Sequence, residues 1–327
     1  MTQAPRVGDI VEVRSRSEIL ATLDANGCLD GLPFMPEMLA FCGQRVTVRK
    51  SAHKTCDTIQ NGPLRRMHAA VHLAGTRCSG AAHDGCEAGC ELFWKTAWLK
   101  AVKNGTGDGG RATGGCTEAR LVELTRRPTQ NGDETLFRCQ ATEMVAATVP
   151  LSRWDVRSYV RDVRSGNVGA WALCKSLAWS LFTWMTTHLR GYRLQVWLFN
   201  TIQRRRGGTP LRVLSGERSV TPKAQLDLQP GELVQVKRVE EITATLDRLQ
   251  KNRGLYFDLE LTPFCGRTFT VERRIRRIID ERSGRMLMLP GDCILLSGVV
   301  CTGRYHGHCP RATNAYWREI WLRRVSS

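Results

Sequence analysis

The sequence predicts an α+β protein in which two duplicated small β-barrel domains flank a mainly helical middle region. Three observations carry this expectation. First, GDIVEVRSRSEILATLD from Gly8 returns as GELVQVKRVEEITATLD from Gly231, an offset of 223 residues that then holds as far as Trp98 and Trp321. Second, each copy opens on valines alternating with polar residues, Val11 and Val13 in the first, the period of a half-buried strand. Third, the residues between the copies have a different character and include an apolar run from about Val168 to Leu189. The domains expected are 1–102, 103–225 and 226–327.

Along each copy, a short helical or turn-like stretch follows the first strand (Ser17 to Leu23, Glu240 to Leu246). Glycine- and proline-containing turns then lead to a second strand, Arg45 to Arg49 and Thr268 to Glu272, and short strands broken by turns suit a barrel or sandwich. Each copy closes on an aromatic segment whose Trp94 and Trp98, or Trp317 and Trp321, read as core anchors. Residues 103–118 read as a flexible glycine-rich linker. The helix expected from Val168 to Leu189 has one narrow polar face, Ser176, Ser180, Thr183 and Thr187, and such a helix is normally buried.

Of 327 residues, 42% are apolar and 24% charged, which excludes wholesale disorder. The start lacks the pattern of a secretory signal, and no run is long and apolar enough for a membrane span, so a cytoplasmic protein is expected. The net charge is +17, with 39 of the 48 basic residues arginine and short clusters at Arg204–Arg206 and at Arg273, Arg274, Arg276 and Arg277. Such a field attracts nucleic acid or phosphorylated substrates, but arginine-rich coding alone also produces it. No serine-hydrolase elbow, phosphate-binding glycine loop or dinucleotide fingerprint occurs.

Thirteen cysteines in a chain expected to be reduced point to metal ligands or catalysis. Cys56, Cys78, Cys86 and Cys90 are spaced C-x21-C-x7-C-x3-C, with Gly80, Gly85 and Gly89 allowing close backbone approach to a metal. Buried free thiols or a redox pair are the alternative. His83 lies within the motif and can replace one ligand, although a solvated loop histidine is the plainer reading. Paired C-x2-C knuckles of zinc ribbons are absent, and the second copy has Ile279 and Thr313 in place of Cys56 and Cys90. Metal is then not required for the fold, which favours an iron–sulfur cluster over zinc. A second four-thiolate site across domains from Cys116, Cys139, Cys301 and Cys309 is a further candidate, unpaired structural thiols being the plainer reading, while Cys42 and Cys265 read as core or turn residues.

The strings EILATLD, CQATE, RDVRSGN, LQPGELV, CDTIQ and YWREIWL, with Cys78, Gly80, His83, Gly85, Cys86, Ala88, Cys90, Phe93 and Trp94, resemble a largely uncharacterised bacterial family with the motif RC-x-G-x-x-H-x-G-C-x-A-x-C-x-x-FW. The resemblance implies bacterial origin and a setting near biosynthetic gene clusters, and it brings no activity with it.

Outside the cysteines, Trp154 to Asn167 is the best candidate for chemistry. On a helix Asp155, Tyr159 and Asp162 share one face, and Arg157, Arg161 and Arg164 the other. Tyr159, Arg161, Asp162, Arg164 and Asn167 are therefore candidate catalytic residues for binding a small anionic substrate or moving protons, in a cleft between the barrels. An ion-paired surface helix is the plainer reading. Two function classes remain: a metal-bearing redox enzyme, electron-transfer or accessory protein of bacterial biosynthesis working with a redox partner, or a nucleic-acid or protein-binding adaptor with structural zinc.

Overall fold

The computed structural model describes residues 4–60, 64–102, 116–128, 135–178, 197–198, 201–202, 205 and 216–325. Helices and strands are mixed, and the chain is α+β. In the first half, β1 (Ile10–Val13), β2 (Arg45–Ser51), β3 (Ala70–Leu73), β4 (Trp94–Lys95) and β5 (Leu99–Ala101) form one sheet in the order β4-β3-β2-β1-β5. In the second, β6 (Leu233–Val236), β7 (Thr268–Ile279), β8 (Met286–Val300), β9 (Asn314–Arg318) and β10 (Leu322–Arg324) follow the order β9-β8-β7-β6-β10. The registers correspond as well: Val11 pairs with Val46 and Ala101, and Val234 with Phe269 and Arg324.

Neither sheet closes into a barrel among the described residues. A single turn, Thr96–Trp98, carries the chain from edge strand β4 to edge strand β5, and no ladder joins the two edges. The expected barrels are thus open five-stranded sheets.

Each sheet covers a core built from corresponding residues. Val11, Val13, Ile19, Phe34, Val48, Trp94 and Trp98 are buried in the first half, and Val234, Val236, Ile242, Phe257, Val271, Trp317 and Trp321 in the second. Edge-to-face contacts of Phe34 with Trp98 and of Phe257 with Trp321 hold each aromatic cluster. Buried indoles need a partner: Trp98 Nε1 donates to Thr22 Oγ1 and Trp321 Nε1 to Thr245 Oγ1, both at 3.0 Å. Trp94 Nε1 likewise donates to Thr76, but the second half has Val299 there and Trp317 Nε1 is left without a partner.

Residues beyond 102 complete the first core, where Cys116, Leu121, Met144 and Ala147 pack. The middle region also contains strands: Thr148–Pro150 pairs with Arg65–Met67, and Arg126–Pro128 with Thr135–Phe137. Most of the expected linker, 103–115, lies outside the described residues, as do Arg204 and Arg206. Of the apolar helix expected at 168–189, the described turns, 170–178, are largely exposed: Trp171 is 73% exposed, and Leu173 turns inward. Burial of these turns is therefore corrected, since the helix meets the body of the protein along one narrow edge, with Ser176 Oγ 2.6 Å from His308 Nε2. Residues 179–189 lie outside the described set. Among the described residues no helix is long and apolar enough to cross a membrane.

The halves dock about an approximate two-fold relation. Thr58 bonds Glu281, its counterpart 223 residues on, and Arg282 donates to the carbonyl of its counterpart Ile59. Cys56 N–H donates to Cys309 Sγ at 3.1 Å, and its counterpart Ile279 N–H donates to Cys86 Sγ at 3.4 Å. The strand end of each half therefore meets the cysteine loop of the other.

Burial controls the acid stability of this fold. His72, packed at a tilt against Phe93 with Nδ1 3.0 Å from Leu92 O, is lowered by burial to about 3. His53 is lowered to about 4, by burial and then by the Lys54 charge. Both are neutral in the native state and take up protons on unfolding near the ordinary histidine value of about 6.5. Their stabilisation is complete above pH 6.5 and is lost as pH falls towards 4 and 3. Urea unfolding midpoints should fall as pH drops from 6.5 towards 3, and His72→Leu should flatten that fall; an unchanged acid limb in that variant refutes the assignment.

Candidate metal centre

In the first half, residues 78–90 form a loop tied off by Cys78 N–H donating to Cys90 O at 2.8 Å. Inside it, the amides of His83 and Gly85 both donate to Gly80 O at 3.0 Å, winding the chain tightly around Gly80. Gly80 has φ of 75°, and a Cβ there would lie 1.9 Å from Cys86 O, so the turn demands glycine. The second half repeats the loop: Cys301 N–H donates to Thr313 O, the amides of His306 and His308 donate to Gly303 O, and a Cβ on Gly303 would lie 2.2 Å from Cys309 O.

Glu37 comes from the 3-10 turn Pro36–Phe41 and points at this loop. Its Oε1 accepts from Ala82 N–H at 3.2 Å and lies 3.2 Å from His83 Nδ1 and 3.7 Å from Cys78 Sγ. Burial raises the Glu37 carboxyl, but the bond and charge of His83 overcome it and the group lies below its ordinary range. Glu37 Oε2 and His83 Nε2 are buried without a hydrogen-bond partner. Such orphaned atoms are uncommon in a folded interior. Among the described residues, the groups of three potential donors with ligand atoms within 4.8 Å of one another are Glu37–Cys78–His83 and Glu260–Cys301–His306. These are the same three positions, 223 residues apart. Sequence reasoning did not assign the two glutamates; their shared register with the Cys and His of both copies was the available signal.

Beside the first group lies a pocket enclosing about 450 Å³ of empty space, part of it open to solvent. Cys78, Cys86, Cys90 and Cys139 line it, together with His83 and Arg311. Cys139 arrives from the middle region because its neighbour Gln140 is buried against the floor. Gln140 Oε1 accepts from Phe93 N–H at 2.8 Å, and its Nε2 donates to Phe93 O and Pro33 O. Burial pushes the Cys90 thiol up to about 11 and Cys139 to about 12, and raises Cys78 with help from the Glu37 charge. Arg311 enters from the second half, 2% exposed, and donates to Thr58 Oγ1 at 2.9 Å and Glu281 Oε1 at 2.6 Å. Its charge, together with that of Arg77, opposes the burial that raises the Cys90 thiol.

The other cysteines are distributed differently. Cys56 lies against Cys309, and a side-chain hydrogen bond from the Cys309 thiol, against burial and with help from Arg311, brings the Cys56 thiol down to about 6. Cys116 is in the first core, Cys139 lines the first-half pocket, Cys301 lies beside Glu260 and His306, and Cys309 lies against Cys56. Cys42 and Cys265 pack against the two cores.

The polar segment forms a helix, Val156–Ser165, capped by Asp155 and ended by Gly166 in the left-handed conformation. Its buried face is polar. Asp162 Oδ2 accepts from the buried Lys54 at 2.5 Å, and Oδ1 lies 3.3 Å from His53 Nε2. Asn167 exchanges two 2.8 Å bonds with the backbone of Ser51. Tyr159 covers the Lys54 ammonium, 4.7 Å from the ring centre, and donates to Arg153 O. Arg161 and Arg164 are exposed, as are Val156, Val160 and Val163. This face docks the helix on the end of β2, and Lys54 links it to the strand that runs into Cys56. In the arginine cluster of β7, Arg273 donates to Glu87 O across the interface and Arg274 to Glu319, so part of the basic charge is used inside the molecule.

Comparison with family models, with curated proteins and with solved structures gives no match.

Proposed function

We propose that this chain is a metal-binding redox protein, with an iron–sulfur cluster held by Cys78, Cys86, Cys90 and Cys139, serving electron transfer or an accessory step in bacterial biosynthesis. The observation that supports it is the convergence of four thiols from two distant segments on one pocket. Thiolates are the ligands such clusters use. The four are not a compact group of the kind that holds a single ion, which favours a larger inorganic group over one zinc. Thiols raised by burial stay protonated on their own, and a cationic cluster core supplies the charge that stabilises them as thiolates. Arg311 offsets the net negative charge of the resulting assembly. The bonds among His83, Glu37 and the loop hold the ligands in place, and Cys56, engaged with Cys309, is left outside the set.

Purification without air should yield a brown protein with iron and sulfide in proportion and broad visible absorption. Cys139→Ser should lose most of that absorption, whereas Cys56→Ser should retain it. A colourless protein containing stoichiometric zinc, or equal loss in both variants, refutes the proposal.

A further inference from the structure

The structure assigns a separate mononuclear site for a zinc-class divalent cation to Glu260, Cys301 and His306 of the second half. It is independent of the cluster proposed above, with which it shares no residue. Carboxylate, thiolate and imidazole are all zinc ligands, and three protein donors leave a fourth position for water or a substrate. Their ligand atoms already lie within 4.8 Å of one another.

The neighbours of these three residues suit a metal site. Glu260 is fixed from outside the group: Oε2 accepts from Thr302 N–H at 3.1 Å and from its hydroxyl, and Oε1 from Tyr305 N–H. A carboxylate oxygen accepts more than one bond, so Oε1 retains capacity for a cation. His306 Nε2 lies 2.9 Å from Asp258 Oδ2, which leaves Nδ1 as the ring nitrogen for coordination. A carboxylate behind a ligating histidine is the usual outer partner in zinc sites, fixing the ring and its tautomer. The first half has Met35 at the position of Asp258 and leaves His83 Nε2 without a partner. The halves differ here: the first has Cys86 and Cys90 in a thiol pocket, while the second has Thr313 in place of Cys90, directs Cys309 to Cys56, and has the aspartate. The His306 and Asp258 side chains are 40% and 28% exposed, giving an ion a route from solvent.

The test uses the full chain, freed of metal with a chelator and titrated with cobalt(II), whose thiolate charge-transfer band reports a sulfur ligand. Cys301→Ser and His306→Ala should each lose one equivalent and its band, while replacing the exposed Cys174 with serine retains it. Asp258→Asn should weaken binding by about 10- to 100-fold. On the unaltered chain, zinc should protect Cys301, but not the exposed Cys174, from iodoacetamide, as mapped by mass spectrometry; this keeps the test valid where a variant fails to fold. Equal labelling of Cys301 with and without zinc overturns the assignment, as does parent-like cobalt binding by a folded Cys301→Ser. Neither result bears on iron in the first pocket, so the two proposals fail separately.

Discussion

Asp162→Ala is expected to destabilise the protein by about 3–5 kcal/mol, the loss associated with removing one partner of a buried ion pair. Lys54 is fully buried, its ammonium 2.5 Å from Asp162 Oδ2, and burial lowers the lysine and raises the aspartate against their mutual attraction. Without the carboxylate, the lysine must lose its proton or drag water into the site. The helix Val156–Ser165 would lose its central attachment too, since Asp162 and Asn167 hold it to the end of β2. Urea unfolding measures the loss. The paired replacement Lys54→Met with Asp162→Leu should recover most of it, because two apolar side chains of similar volume leave no charge unpaired. If Asp162→Ala unfolds at the parent midpoint, the pair does not hold this helix.

Gly80→Ala is expected to abolish metal binding by the first-half pocket. The added Cβ would lie 1.9 Å from Cys86 O, a backbone atom that moves only if the loop opens. The left-handed conformation adds strain of about 1–3 kcal/mol for a residue with a side chain. Opening the loop carries Cys86 away from Cys78 and Cys90, so iron content and visible absorption should fall to background. Gly303→Ala applies the same insult to the second-half loop, with its Cβ 2.2 Å from Cys309 O, and should spare the iron while weakening cobalt binding at Cys301. Parent-like iron content in Gly80→Ala would show that the loop does not shape the site.

The sequence by itself determined the elements that depend on local pattern. Strand alternation placed Val11 and Val13 in the core, the constant offset set corresponding strands in corresponding order, and the tryptophan pairs marked the interior. It also marked Cys78, Gly80, His83, Cys86 and Cys90 as one loop, because a tight turn with closely spaced ligands is a local feature. Tertiary structure alone decided which thiols meet. Cys56 precedes Cys78 in the same half, yet docking of the halves places it on Cys309, while Gln140 brings Cys139 to the first pocket from the middle region. It likewise turned Asp162 inward to Lys54, although the helical pattern favoured an ion-paired surface helix. Spacing along a chain governs torsion angles and which face of an element is apolar. Convergence of side chains from different halves depends on how those faces pack, and here on an approximate two-fold docking that no local pattern records.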